Sequence, residues 1–239
     1  MSLPPVEIPL GAMRFNSDSQ KLEYWNGQIW MQIHTFSPNL DGGARGFVMG
    51  GTYSSPGPGT HNEIRFITIP TAGNTTDFGN LTHTTRDGGS CASRTRGLYR
   101  FGTGPGDIND NVDFITMSST GDAADFGESM RVGTSSSSAC SATRMVYGGA
   151  SGPGQIDYLT IATTGNSIAF GDMTVDRSSF AAASDCIRGV FMGGDGSPAQ
   201  FDEIDYITIA TQGNAVDFGD LPYDNQQCTG CSNGHGGLG

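Results

Sequence analysis

The groups in this 239-residue chain that could do chemistry are five cysteines, four histidines and 24 carboxylates. Cys228-Thr229-Gly230-Cys231 has the C-x-x-C spacing of a zinc or redox site, but no second pair accompanies it and His34, His61, His83 and His235 are scattered. All five cysteines, Cys91, Cys140, Cys186, Cys228 and Cys231, fall near matching places in successive stretches of sequence, four of them in one slot, so these are expected a repeat apart. There they act as small buried residues, unable to pair or share a metal. Carboxylates recur as well, as Asp113, Asp157 and Asp205 (Arg65 in the first copy) and as Asp77, Asp125 and Asp217 (Ala169 in the third). A catalytic pair is not copied in this way, so these acids are expected to cap turn amides or to pair with the recurring Arg45, Arg96, Arg144 and Arg188 across neighbouring units. The loop Gly106 to Asp113 is rich in oxygen ligands but lacks the spacing and closing Glu of an EF-hand. The Gly-Pro-Gly segments at 57–59, 104–106 and 152–154 precede no helix and no Lys, so they are not phosphate loops. With no nucleophile elbow, metal helix or Ser/His/Asp set, the expectation is no enzyme, no metal and no cofactor.

The elements that carry these residues repeat. Arg-Gly, an apolar run, often Gly-Gly, an alternating Ile-Thr-Ile run and Phe-Gly recur in that order. The starts are Arg45, Arg96, Arg144 and Arg188, and the ends are Phe78, Phe126, Phe170 and Phe218, with the Phe-Gly pairs at intervals of about 48, 44 and 48 residues. Each copy contains four strand candidates, the last a small-residue run containing Cys. A Gly-Asn/Asp turn lies between the second and third, at Gly73, Gly121, Gly165 and Gly213. This describes an all-β β-propeller, a blade per repeat, with Arg expected to begin each innermost strand and Arg–Asp pairs near the axis.

Composition agrees. Charged residues are 15% and hydrophobic ones 36%, with 37 Gly and 11 Pro, which leaves little room for surface helix. The net charge of −12 disfavours a nucleic-acid partner, and no apolar run suits membrane insertion. Repeats 45–95, 96–143, 144–187 and 188–234 form four blades, and a blade needs neighbours on both faces. The first 44 residues supply three strands, at 12–15, 22–25 and 29–33, and residues 235–239 supply one. The expected architecture is therefore a single domain over 1–239, a five-bladed ring closed by the two termini. The alternative is four blades plus an N-terminal hairpin.

The Gly-Gly after an apolar strand resembles the signature of kelch-like propellers, without their usual blade Trp and Tyr, and implies fold only. The stretch Gly11-Ala12-Met13-Arg14-Phe15-Asn16-Ser17-Asp18-Ser19-Gln20-Lys21-Leu22-Glu23-Tyr24-Trp25-Asn26-Gly27-Gln28-Ile29-Trp30 resembles a hairpin segment of tail-fibre, neck and head-appendage proteins of tailed bacteriophages. That resemblance implies a virion structural protein in a multimeric assembly with other virion proteins, and a surface that contacts a host protein or glycan. Met1-Ser2-Leu3-Pro4-Pro5 has neither a basic leader nor an apolar core, which suits assembly into particles in a host cytoplasm. The rival expectation is a lectin-like propeller binding carbohydrate at repeated rim positions.

Overall fold

The computed structural model describes residues 8–16, 21–32, 45–54, 59–104, 110–133, 137–149, 154–196 and 199–232. Among these there is no helix; the chain forms five antiparallel sheets of three or four strands, a propeller-like all-β fold. Two compact units divide it, residues 1–38 and 39–239.

The first unit is a meander of β1 (Met13–Asn16), β2 (Lys21–Trp25) and β3 (Trp30–Gln32). Asn26 makes the second turn, its side-chain oxygen accepting from the amides of Gln28 and Ile29. Register puts Arg14, Glu23 and Gln32 on one face and Met13, Phe15, Leu22, Tyr24 and Met31 on the other. On the polar face Glu23 is buried, accepting from Arg14 at 2.8 Å and from Asn16 at 3.0 Å, while Arg14 also lies 4.1 Å from the Trp30 ring centre. The apolar face is exposed.

The second unit is a row of four sheets. The first holds β4 (Arg45–Tyr53), β5 (Gly59–Thr68) and β6 (Thr76–Asn80). The second holds β7 (Gly89–Ala92), β8 (Arg96–Arg100), β9 (Asn111–Thr116) and β10 (Ala124–Glu128). The third holds β11 (Ser137–Cys140), β12 (Arg144–Gly148), β13 (Gln155–Thr160) and β14 (Ile168–Asp172). The fourth holds β15 (Ala181–Ser184), β16 (Arg188–Asp195), β17 (Gln200–Thr208) and β18 (Val216–Asp220).

Sequence repeat and sheet are out of phase. The cysteine-bearing run, expected to end each repeat's sheet, pairs instead with the Arg strand that follows it. The turn between them decides this. The amide of Ser93 donates to the Arg96 carbonyl and Ser93 Oγ accepts the Arg96 amide; Ser141 with Arg144, and Asp185 with Arg188, do the same. A tight capped hairpin sets register more strongly than the long connection from the preceding Phe-Gly strand. The innermost strands are thus β7, β11 and β15, which approach one another, and not the Arg strands. The expected closing strand, 235–239, lies outside the described residues.

The core lies between sheets. Three buried clusters fill the three junctions: Ile64, Phe78 and Leu81 against Phe101, Ile115 and Met117; Leu98, Val112 and Phe126 against Met145, Leu159 and Ile161; Ile156, Phe170 and Met173 against Phe191, Ile207 and Ile209. In every Phe-Gly strand the pairing slips at the Phe, a bulge that aims its ring out of the sheet; the rings of Phe78, Phe126 and Phe170 enter the three junctions.

Candidate functional site

The recurring residues converge on the sheet junctions. Arg45, Arg96, Arg144 and Arg188 each lie over an aromatic ring of their own sheet, Phe66, Phe114, Tyr158 and Tyr206, at 4.9, 4.8, 4.6 and 4.8 Å. Each of these rings meets the bulged Phe, Phe78, Phe126, Phe170 or Phe218, edge to face at about 6 Å. Three of the arginines then reach the next sheet. Arg45 donates to the Met117 carbonyl, Arg96 to Ile161 and Ala162, and Arg144 to Ile209 and Ala210, at 2.7 to 3.1 Å. The expected Arg–Asp pairing is thereby corrected: these guanidiniums take backbone carbonyls, because the carbonyls after the Ile-Thr-Ile strand lie within reach and the buried acids do not.

Asp113, Asp157 and Asp205 are fully buried. Asp113 accepts the Thr82 amide and hydroxyl at 2.7 and 2.9 Å, and Asp205 accepts those of Thr174 at 3.2 and 2.6 Å, so each carboxylate caps the loop of the preceding sheet. Among the described residues two of the three have a cation, in each case an arginine outside the repeat. Arg131 approaches Asp157 at 3.2 Å and the buried Arg177 approaches Asp205 at 2.9 Å. A third, Arg100, is fully buried and donates to the carbonyls of Arg131 and Gly133 and to Ser129 Oγ, itself bonded to Tyr147. Burial raises the carboxyl pKa of Asp113, against the bonds from Thr82, and that of Asp157, against the pull of Arg131. It depresses the guanidiniums of Arg100 and Arg177. Before the bulges, Asp125 and Asp217 accept the amides of Gly127 and Gly219, a local cap.

Sequence reasoning found the residues that recur and missed those that do not. Thr82 and Thr174 carried a signal, since each follows an apolar residue two places after Phe-Gly. Arg100, Arg131 and Arg177 occupy different slots and gave none.

The cysteines part from expectation. Only Cys91 is buried; Cys140 and Cys228 are half-buried, and Cys186 and Cys231 are exposed. Cys140 sits one strand position past the Cys91 slot and Cys186 lies beyond β15, so they share no slot. The strands bearing Cys91 and Cys140 are adjacent, and the two thiols interact. Burial pushes the Cys91 thiol well up, while its hydrogen bond to Cys140 lowers the latter. No group of three or more potential metal ligands exists among the described residues. Small residues line a cavity of about 220 Å³ beside the innermost strands β7, β11 and β15, among them Ser90, Ser138, Ala182, Thr229 and Gly230. On the first sheet a shallow recess is formed by Thr52, Tyr53, Gly59, Thr60 and Arg86. Most of the Gly-Pro-Gly rim, and residues 106–109 of the 106–113 loop, lie outside the described residues.

Fold and junctions together define a repeat protein of propeller-like sheets, its recurring chemistry spent on joining one sheet to the next. No family model matches the chain, and no curated protein matches it.

Proposed function

We propose that the protein is a non-enzymatic structural or adhesion component of a tailed-phage particle, held in a multimeric assembly with other virion proteins. The observation that carries this reading is the N-terminal unit. The segment that resembles phage appendage hairpins forms its own three-stranded sheet, and that sheet exposes Met13, Phe15, Leu22, Tyr24 and Met31 on one face. A contiguous apolar face on so small a sheet is the mark of an assembly surface. The use of the recurring Arg, Asp and Phe in sheet junctions fits a scaffold with its loops free for contact, including contact with a host protein or glycan. The test is cryo-electron microscopy of the source particles with mass spectrometry of their bands. The expected result is an ordered appendage containing this chain, lost when Phe15 and Met31 are both changed to Lys. Particles that lack the protein, or that keep the double variant at full occupancy, would sink the proposal.

A lectin reading has one feature in its favour, the half-exposed Tyr53 beside Thr52, Thr60 and Arg86. The slot of Tyr53 in the fourth sheet is Gly196, so the feature does not repeat. A glycan array on the purified chain distinguishes this reading.

A further inference from the structure

The row of sheets ends in two faces that the interior of the row shows how to cover. At the far end Phe218 is 56% exposed, where Phe78, Phe126 and Phe170 are 3%, 2% and 4%. At the near end Ile67 and Ile69 are 40% and 64% exposed, where Leu159 and Ile161 are both 1%. In each interior junction the bulged Phe carbonyl accepts the turn glycine amide of the next sheet: Phe78 from Gly121, Phe126 from Gly165, Phe170 from Gly213. No such bond runs from Phe218 to Gly73 among the described residues. Among the described residues the first sheet has three strands where the others have four, with no innermost strand beside β4. At the positions equivalent to the strand runs 89–92, 137–140 and 181–184 the first repeat has Pro38-Asn39-Leu40-Asp41 in place of small residues, and at the position of the Ser93, Ser141 and Asp185 caps it has Gly42.

The missing strand is present elsewhere. Residues 227–232 follow the fourth sheet and have the local geometry of an innermost strand without a partner strand. Gln227 has φ 54°, as Asp87 has 56° and Ser179 has 54°, and these three stand two residues before Thr229, Gly89 and Ala181. Ser232 Oγ donates to the Ser184 carbonyl across 48 residues, as Cys140 Sγ donates to the Ala92 carbonyl across 48. Thr229 and Gly230 line the cavity beside β7, β11 and β15 with Ser90, Ser138 and Ala182. Thr229-Gly230-Cys231-Ser232 also matches Gly89-Ser90-Cys91-Ala92 in size. A cavity of about 230 Å³ lies between Phe47 and Met49 of β4 and Ser90 of the innermost strand β7.

We infer that Thr229–Ser232 is the innermost strand of the first sheet and pairs with β4, closing the row into a four-bladed ring. Transferring the β15–β16 register along the repeat pairs Thr229 with Met49, Gly230 with Val48, Cys231 with Phe47 and Ser232 with Gly46. Phe218 and Val216 then pack against Ile67 and Ile69. The seam has its own electrostatics. Arg65 stands in the slot of the buried Asp113, Asp157 and Asp205, and the loop that faces it, Asp220-Leu221-Pro222-Tyr223-Asp224, carries two acids and no base. The charges of the interior junctions are exchanged at the seam, which matches the two ends to each other.

The test is a crosslink in the full chain. Met49→Cys and Thr229→Cys are introduced with Cys186, Cys228 and Cys231 replaced by Ser, and the product is read by non-reducing electrophoresis and mass spectrometry. The expected result is an intrachain disulfide in a monomer. In parallel, hydrogen exchange on the unaltered protein should find the amides of residues 45–49 protected to within about tenfold of those of residues 96–100. A disulfide only between chains would mean that a second copy supplies the strand, and would overturn the inference. Fast exchange across 45–49 would overturn it whatever the crosslink shows. Protection of 45–49 with no intrachain crosslink would assign the cover to another strand, and would overturn it too.

Discussion

Arg177 shows what a single residue does at a junction. Its guanidinium is buried, with one nitrogen shared between Asp205 and the Phe191 carbonyl and the other on the Glu203 carbonyl. The ion pair by itself is weak support for stability, since both charges lost their water. Removing one partner is another matter. Arg177→Met strands the Asp205 carboxylate with only Thr174 to bond it and removes the Arg177 donors to the Phe191 and Glu203 carbonyls. The expected loss is about 3–5 kcal/mol of unfolding free energy, measured by urea denaturation. A loss under about 1 kcal/mol would show that water enters the site and that the residue is not buried in solution. The acid of this pair was legible in the sequence because Asp recurs at 113, 157 and 205. Its partner was not, because tertiary neighbours of a repeated position need not repeat: Asp113 uses Thr82 alone, Asp157 uses Arg131 and Asp205 uses both a Thr and an Arg.

At the scale of elements, the strands themselves were readable from alternation and turn residues, and the Phe-Gly pair marked a real structural event. What it marked, a bulge, was not legible. Only the paired register shows that Phe78, Phe126, Phe170 and Phe218 have no opposite residue, and that the first three turn toward the next sheet. The assignment of the cysteine-bearing run to the wrong sheet has a physical origin as well. Repetition fixes the period of a pattern but not its phase, and the phase is set by which connection is tight. Close approach at the bulge accounts for the glycine after Phe78, Phe126 and Phe170, where a Cβ would strike the turn of the next sheet; at Gly219 a Cβ meets nothing within 4 Å. At Gly171 a Cβ would strike the carbonyl of Gly213, whose amide bonds the Phe170 carbonyl at 2.9 Å, and no unusual φ is involved. Gly171→Ala should therefore push the third and fourth sheets apart and cost about 1–3 kcal/mol. Gly73→Ala, where a Cβ meets nothing within 4 Å, is the control. Equal melting temperatures for the two variants would show that the sheets do not approach this closely.

For the whole molecule, the repeat was legible in the sequence, whereas the N-terminal stretch was read there as part of a fifth blade of one domain, with a separate hairpin as the alternative. Closure was harder to read, since short small-residue runs such as Thr229–Ser232 carry little hydrophobic signal and are recognised as strands only by what flanks them. The charge of −12 has a consequence at this scale. Acid denatures many proteins because their carboxylates are more acidic folded than unfolded, so protonation favours the unfolded chain. Asp113 and Asp157 work in the opposite direction. Burial raises their folded pKa above the ordinary value of 3.8, so the folded state binds protons first. Their charged forms burden the fold at neutral pH, and that burden is relieved as pH falls through the interval from the raised folded value to the unfolded one. Lower pH also reduces the repulsion among the remaining acids. Asp113→Asn removes one of these titrations while keeping an oxygen that can accept from Thr82. The melting temperature of the wild type relative to this variant should therefore rise as pH is lowered from 7 toward 4, followed by calorimetry. A difference that stays flat, or that falls, would mean Asp113 titrates as a solvated carboxylate and that the junction is open to water.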